Sequence, residues 1–149
     1  MMAENICVNI NRCLACRSCE LACSEVHSRS GKLEEAVTES PLPARMVSLE
    51  RAGGHAVPLR CINCEDAPCA EICPMGALKK APDGTVSVQA DLCTGCKMCM
   101  IVCPLGVLHF TPDGRCAVMC DSCTDLQENN QQPACVRACP TGALKLKQD

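Results

Sequence analysis

The sequence predicts an α+β fold, in which short helices and β-hairpins form two nested modules. Three observations support this prediction: the chain holds 18 cysteines in 149 residues, it has few large apolar side chains, and one short motif occurs three times. Leu, Ile, Val and Phe make up only about a fifth of the residues, a level at which an ordinary hydrophobic core is seldom built. There is one Phe and no Trp or Tyr. The cysteines are therefore the first candidates for what holds the chain together.

Sixteen of the cysteines form four groups of four along the chain. Groups one and three have gaps of two, two and three residues between successive cysteines, whereas the middle gap is four residues in group two and eleven in group four. A proline follows the last cysteine of groups two, three and four. The groups are Cys13, Cys16, Cys19, Cys23; Cys61, Cys64, Cys69, Cys73; Cys93, Cys96, Cys99, Cys103; and Cys120, Cys123, Cys135, Cys139.

The spacing separates three uses of so many cysteines. A disulfide framework needs an oxidising compartment, and the N-terminus shows no basic segment followed by an apolar run, so no export leader is expected. Structural zinc sites use two pairs of cysteines, not triplets with a fourth cysteine and a proline. The run C-x2-C-x2-C-x3-C-P is the ligand pattern of bacterial ferredoxins. We therefore expect four [4Fe–4S] clusters, and keep a zinc or disulfide interaction module as the alternative from another class.

The ferredoxin pattern also predicts which groups work together, because the fourth cysteine of each group ligates the cluster of its partner group. Groups two and three are expected to form an inner two-cluster module over residues 58–110. Groups one and four are expected to form an outer module from residues 5–24 plus 116–149. The predicted ligand sets are Cys13, Cys16, Cys19 with Cys139; Cys61, Cys64, Cys69 with Cys103; Cys93, Cys96, Cys99 with Cys73; and Cys120, Cys123, Cys135 with Cys23.

The repeated motif is Cys-Pro-x-Gly followed by Ala or Val and then Leu, and it begins at Cys73, Cys103 and Cys139. The proline ends the helical turn, and the glycine lets the backbone approach a cluster closely. After the first two copies a Pro-Asp-Gly tripeptide begins at Pro82 and at Pro112, which predicts two β-hairpins. Their return strands are expected over residues 85–88 and 115–118.

Residues 25–57 form an excursion between groups one and two. A short helix is predicted over residues 32–37, and a hairpin is predicted from strands 45–50 and 56–59 around Gly53-Gly54. Ordering a segment outside the cluster modules costs conformational entropy that packing or an interface must offset. The excursion therefore favours a subunit of a complex.

Two cysteines and three histidines lie outside this scheme. Cys7 and Cys116 are expected to be buried free thiols that pack like small apolar residues. His27, His55 and His109 have no nucleophile or carboxylate spaced beside them as a catalytic set. We therefore expect no catalytic residue, and a chain that is not itself an enzyme.

Five basic residues lie beside or between the grouped cysteines. An oxidised [4Fe–4S] cluster with four thiolates carries a charge of about −2, which N–H groups and nearby cations must offset. The sequence leaves open whether these five residues do so or are ordinary solvated surface charges. They are Arg12, Arg17, Arg60, Lys97 and Arg137.

Charge and hydropathy exclude other classes of function. The formal net charge is −3, so no basic surface favours binding to nucleic acid. The longest segment without a charged residue, 98–112, is interrupted by prolines and is shorter than the roughly 20 apolar residues that span a bilayer. We expect a cytoplasmic protein with no direct insertion into a membrane.

The four complete groups in this order, with the second spaced C-x2-C-x4-C-x3-C-P and the long gap in the fourth, resemble a known family. It comprises the four-cluster ferredoxin-type electron-transfer subunits of molybdenum or tungsten oxidoreductases, formate dehydrogenases and hydrogenases. Within it, one stretch looks closest to the ferredoxin-like subunit that accepts electrons from nickel carbon monoxide dehydrogenase. It comprises residues 19–28 and continues through Leu33, Ala36, Glu39, Ser40, Pro41 and Pro43 to Arg45.

This resemblance implies an electron-transfer subunit that relays single electrons between a catalytic partner and a downstream electron acceptor or donor. The partner would be of the carbon monoxide dehydrogenase, formate dehydrogenase, hydrogenase or aldehyde oxidoreductase type. The alternative is a free soluble polyferredoxin that carries electrons among several enzymes. One departure is Met119, which stands where the family often has Lys before the fourth group.

Overall fold

The computed structural model describes residues 6–147, which form short helices and four two-stranded antiparallel sheets. The coarse prediction of an α+β chain of short helices and hairpins is confirmed. The strands are β1 (Ile6–Val8), β2 (Val47–Ala52), β3 (His55–Arg60), β4 (Leu78–Lys80), β5 (Val86–Val88), β6 (His109–Phe110), β7 (Ala117–Val118) and β8 (Leu144–Leu146). The α-helices are α1 (Ser18–Val26), α2 (Leu33–Ala36), α3 (Pro68–Glu71), α4 (Met98–Val102), α5 (Thr124–Glu128) and α6 (Ala134–Arg137).

Both hairpins predicted at Pro-Asp-Gly are present, as β4–β5 and β6–β7. In each turn the aspartate accepts a backbone N–H two residues later: Thr85 N donates to Asp83 Oδ1 at 2.9 Å, and Arg115 N donates to Asp113 Oδ1 at 3.1 Å. These side chains replace ladder bonds and fix the turn. The second return strand begins two residues later than predicted, because Cys116 N donates to the Thr111 hydroxyl at 3.1 Å and so still belongs to the turn.

The excursion contains the predicted helix, observed as α2, and the predicted hairpin, observed as β2–β3. The hairpin is the longest sheet in the described residues, with six paired positions from Val47↔Arg60 to Ala52↔His55. Val47 is buried and packs into the core together with Cys19 and Cys23 of group one. The excursion is therefore attached to the first cysteine group by packing.

The two ends of the described chain meet in the sheet β1–β8, where Ile6 lies opposite Leu146 and Val8 lies opposite Leu144. Helices α1 and α6 also pack against each other. Together these contacts bring group one, near the beginning of the chain, beside group four, near its end. A core cluster of Ile6, Val47, Leu144 and three cysteines lies between them.

A second core cluster lies under groups two and three. It contains Leu78, Val86, Val107 and Leu108, and it also includes Cys61, Cys99 and Cys120. In both clusters cysteines take places that Leu or Ile fills in an ordinary core. The cysteines thus take the place of the large apolar side chains that this sequence lacks.

One expectation about the leftover cysteines is wrong. Cys7 is exposed, because β1 buries only Ile6 and has a single neighbour, so that its remaining side chains reach the surface. Cys116 is half-buried beside the β6–β7 turn. None of the helices in the described part of the chain has the length and apolar character needed to cross a bilayer.

Candidate metal centres

The structure gathers the grouped cysteines from distant parts of the chain. All of them are free thiols. Three cavities of about 310 to 380 Å³, measured with the space at their mouths, are each lined by four cysteines: Cys61, Cys64, Cys69 and Cys103; Cys73, Cys93, Cys96 and Cys99; and Cys13, Cys16, Cys19 and Cys139.

The last four cysteines are identified as neighbours by their effect on one another's pKa. Burial, together with the neighbouring thiols Cys120, Cys123 and Cys23, raises the pKa of the Cys135 thiol to about 12. Cys23 comes from helix α1, whereas the other three belong to group four. The four sets of neighbours thus have the composition of the four predicted ligand sets, while their role as ligands stays a prediction.

The loops between the cysteines are curled by residues in the left-handed region. In each group at least two residues between the first and third cysteines have a positive φ, a conformation that costs an L-residue roughly 1–2 kcal/mol. Curling at these points lets cysteines close in sequence face one another. The residues are Ala15 and Arg17; Asn63 and Ala67; Gly95 and Lys97; and Ser122, Cys123 and Asn130.

Backbone amides point at several of the sulfur atoms. Ala77 N donates to Cys73 Sγ at 3.3 Å and Ala143 N donates to Cys139 Sγ at 3.2 Å. In both places the glycine before the donor has a positive φ of about 60°. Burial acts to raise the pKa of Cys73, but backbone hydrogen bonds, including those from Leu78 and Ala77, outweigh it and lower the pKa below its ordinary value. The turn therefore stabilises a thiolate.

Cys23 has a different environment, which sequence analysis did not find. Its sulfur accepts a hydrogen bond from Met46 N at 3.2 Å. The ring of His27 lies one turn further along the helix: Nδ1 donates to the Cys23 carbonyl oxygen at 2.7 Å, and Nε2 lies 3.2 Å from Asp121 Oδ2. The Asp121 hydrogen bond raises the pKa of His27 to about 11, and Asp121 also accepts Cys123 N at 2.8 Å.

The position of Asp121 between two cysteines of group four is the sequence signal that could have been noticed. His27, Asp121 and Cys123 each bring one possible ligand atom to within 4.8 Å of the others. Because Cys123 already belongs to the fourth set of thiols, we treat His27 and Asp121 as supports for that set. They link group one to group four.

The donor chemistry fits [4Fe–4S] clusters. Each set offers four thiols, which is the number and type of ligand that these clusters need. Burial raises the pKa of Cys19 and of Cys61 to about 11, so these thiols keep their protons until a metal displaces them. The N–H donors at Cys23, Cys73 and Cys139 are suited to thiolate and sulfide.

The five basic residues separate into two kinds. Four of them are exposed: Arg12, Arg17, Lys97 and Arg137. Arg60 is buried. The sequence left both possibilities open for all five, and the structure distinguishes Arg60 from the rest.

The known proteins and the family that match this chain are described by iron–sulfur chemistry. The family described as the 4Fe-4S dicluster domain matches residues 54–149. A protein of Rhodospirillum rubrum named "Iron-sulfur protein" is 41% identical over 160 residues, which cover 96% of this chain and 82% of that protein.

Two relatives in Escherichia coli are named for electron transport or for a reductase. Electron transport protein HydN is 32% identical over 155 residues, covering 96% of this chain and 87% of that protein. One polypeptide of the anaerobic dimethyl sulfoxide reductase is 30% identical over 142 residues, covering 92% of this chain and 69% of that protein.

Proposed function

This chain belongs to the family of iron–sulfur electron-transfer subunits that carry the 4Fe-4S dicluster domain, and from that premise we propose that it relays single electrons through four [4Fe–4S] clusters. It would connect a catalytic oxidoreductase subunit with a second redox protein. The observation that carries this proposal is the assembly of sixteen free cysteines into four sets of four neighbours.

The ligand sets that we propose are the crossed ones. Their members are Cys13, Cys16, Cys19 and Cys139; Cys61, Cys64, Cys69 and Cys103; Cys93, Cys96, Cys99 and Cys73; and Cys120, Cys123, Cys135 and Cys23. Each set takes its fourth thiol from another group, as two-cluster ferredoxins do. We also propose the nested modules, with residues 58–110 inside and residues 5–24 plus 116–149 outside, and the pairing of β1 with β8 supports this arrangement.

When bound, each cluster would supply a one-electron carrier. The chain's own residues bind, orient and insulate these groups: thiolates would hold the iron, and backbone amides such as Ala77 N and Ala143 N would offset negative charge at sulfur. We assign the chain no substrate and no catalytic step of its own. Its free thiols are suited to a reducing compartment, which supports a place in the cytoplasm.

The catalytic partner that we favour is a nickel carbon monoxide dehydrogenase, with formate dehydrogenases, hydrogenases and other molybdenum or tungsten enzymes as the wider class. Residues 19–28 and the following excursion carry that resemblance. Between groups one and two the chain forms α2 and the β2–β3 hairpin, which supports an added segment outside the cysteine groups. We propose that this addition contacts the partner.

Anaerobic purification from the native host tests the proposal. We expect about sixteen iron and sixteen inorganic sulfide per chain, together with a large catalytic subunit that co-elutes. The same iron content with nothing attached would favour the free polyferredoxin. Zinc, or no metal in a folded chain, would overturn both functions.

A further inference from the structure

Arg60 is the buried member of the five basic residues. It is 3% exposed, at the end of strand β3 and directly before Cys61. No carboxylate among residues 6–147 lies within ion-pair distance of it, since the ion pairs of the described residues involve other cations. A buried cation without a negative partner is unfavourable. Its presence points to a negative charge that belongs beside it.

The guanidinium has neutral partners on two of its three nitrogens. Nη1 donates to the Cys61 carbonyl oxygen and Nη2 donates to the Ile6 carbonyl oxygen, both at 2.6 Å. Nε is buried and has no hydrogen-bond partner in the described structure. Ile6 belongs to the sheet that joins the chain ends, and Cys61 opens group two. Arg60 thus connects the proposed inner and outer modules.

Group four reaches this junction through its first thiol, because Cys120 and Cys61, whose carbonyl accepts from Arg60, belong to one buried core cluster. Burial raises the pKa of Cys120 and of Cys135, and the Arg60 charge opposes that rise in both. Cys120 in turn acts on Cys61 through its charge, and both lie in one core cluster with Met119. The guanidinium therefore lies where the two modules meet, within electrostatic reach of Cys120 and Cys135.

We propose that Arg60 is a positioning residue for electron transfer: its buried positive charge raises the reduction potential of the cluster held by Cys120, Cys123, Cys135 and Cys23. This inference rests on the proposed function. Reduction adds one negative charge to that site, and a cation shielded from water stabilises the added charge more than a solvated one does. An electron arriving at the junction of the modules would then be held on the group-four side.

The experiment is a redox titration followed by electron paramagnetic resonance, on anaerobically purified full-length chains. The variants are Arg60→Met, which removes the charge at similar length, and Arg60→Lys, which keeps it. Arg137→Gln is the matched control, because Arg137 lies between Cys135 and Cys139 but is exposed. A Cys23→Ser variant identifies the component that belongs to the group-four set, since its signal changes or disappears. Iron and sulfide are measured for every variant first.

We expect that Arg60→Met, with full iron, moves the Cys23-dependent component to lower potential. At a fixed applied potential its ratio of reduced to oxidised cluster should fall by about tenfold or more. Arg60→Lys should leave that ratio near the wild-type value, and Arg137→Gln should change it by less than about twofold because water screens the exposed charge. The proposal is overturned if the component stays in place, if a different component moves, or if Arg137→Gln has an equal effect.

If the Arg60→Met variant does not bind iron, the Arg60→Lys variant still tests the proposal. If Arg60→Lys then loads four clusters with wild-type potentials, the positive charge is what the site requires and the proposal stands. If Arg60→Lys fails in the same way, Arg60 is needed for its fixed hydrogen bonds and the electrostatic proposal is wrong. Absence of iron in the wild-type chain would instead show that the proposed function itself has failed.

Discussion

The fourth cysteines of groups one, two and four are held in two different ways. Cys73 and Cys139 are each followed by Pro, one further residue and a Gly of positive φ, and the next amide donates to the sulfur at 3.3 or 3.2 Å. Cys23 lies inside helix α1, which continues to Val26, and its sulfur accepts an amide from Met46, 23 residues further along the chain. One geometry is contained in a few consecutive residues, whereas the other exists only when the excursion is folded.

The same ligand chemistry can therefore rest on local or on long-range structure. The repeat-based sites should tolerate changes elsewhere in the chain. The site at Cys23 should respond to changes in α1, in the β2–β3 hairpin and at Asp121.

Removal of iron should have the largest effect on stability and should abolish the difference between the local sites and the site at Cys23. Many of the sixteen grouped thiols lie in the two core clusters or pack against them. The sheets of the described chain are all two-stranded, and an isolated two-stranded sheet is only marginally stable in water. We expect the metal-free chain to lose its far-ultraviolet circular dichroism and its amide protection in both regions. Retention of protected amides in the repeat hairpins, with loss confined to residues 18–60, would show that the local sites fold without metal.

The loops of groups one and three offer a sharper comparison at one position. Ala15 and Gly95 each lie two residues after the first cysteine, with φ of 58° and 70°. A Cβ on Gly95 would overlap the Gly114 carbonyl oxygen and approach Arg115 Cα at 3.1 Å. We expect Gly95→Ala to destabilise the holo-protein by about 3 kcal/mol, from left-handed strain plus displacement of the β6–β7 turn.

The control for that substitution is Gly84→Ala. Gly84 has a φ of 88° but open space around its missing Cβ, so strain alone should cost about 1 kcal/mol. Ala15→Gly should be neutral or stabilising by up to about 1 kcal/mol, since it relieves the same strain in group one. Anaerobic denaturant titrations measure all three, and equal effects of Gly95→Ala and Gly84→Ala would contradict the close approach of the turn.

Glu20 tests the long-range attachment of group one. It is buried between α1 and the hairpin, where Oε1 accepts Leu49 N at 2.7 Å and Oε2 pairs with Arg17 at 2.9 Å. Replacement by Ala leaves the Leu49 amide without a buried partner, so we expect Glu20→Ala to cost about 2–3 kcal/mol. Met100→Ala is the matched change, because Met100 also follows the third cysteine of its group but is exposed.

Met100→Ala should change stability by less than about 0.5 kcal/mol. The midpoint of anaerobic denaturation and the iron content measure both variants. If Glu20→Ala is as mild as Met100→Ala, the contact between α1 and β2 does not support group one, and the contrast between local and long-range sites fails at this point.

The parts of the molecule that sequence analysis found are those that local chemistry determines. Pro-Asp-Gly defines two hairpins, Gly53-Gly54 defines a third, and proline ends the turns after three groups. The contacts that it missed join residues far apart: Met46 with Cys23, Glu20 with Leu49, and His27 with Asp121, the last 94 residues apart. No spacing rule connects such residues, because only the packing of the hairpin on α1 and of α1 on α6 brings them together.

The smallest predicted effect concerns the two cysteines outside the groups. Cys7 was expected to be buried because free cysteines usually pack like small apolar residues. A two-stranded sheet leaves edges open, however, and Cys7 is exposed opposite Lys145. Cys7→Ser should therefore change stability by less than about 0.5 kcal/mol. Cys116 lies half-buried beside Cys93, whose sulfur accepts Ala117 N at 3.4 Å, so Cys116→Ser should cost more, about 1 kcal/mol. The midpoints of anaerobic denaturation measure both variants. Equal shifts would mean that the packing around Cys116 stabilises the protein no more than the open strand around Cys7 does.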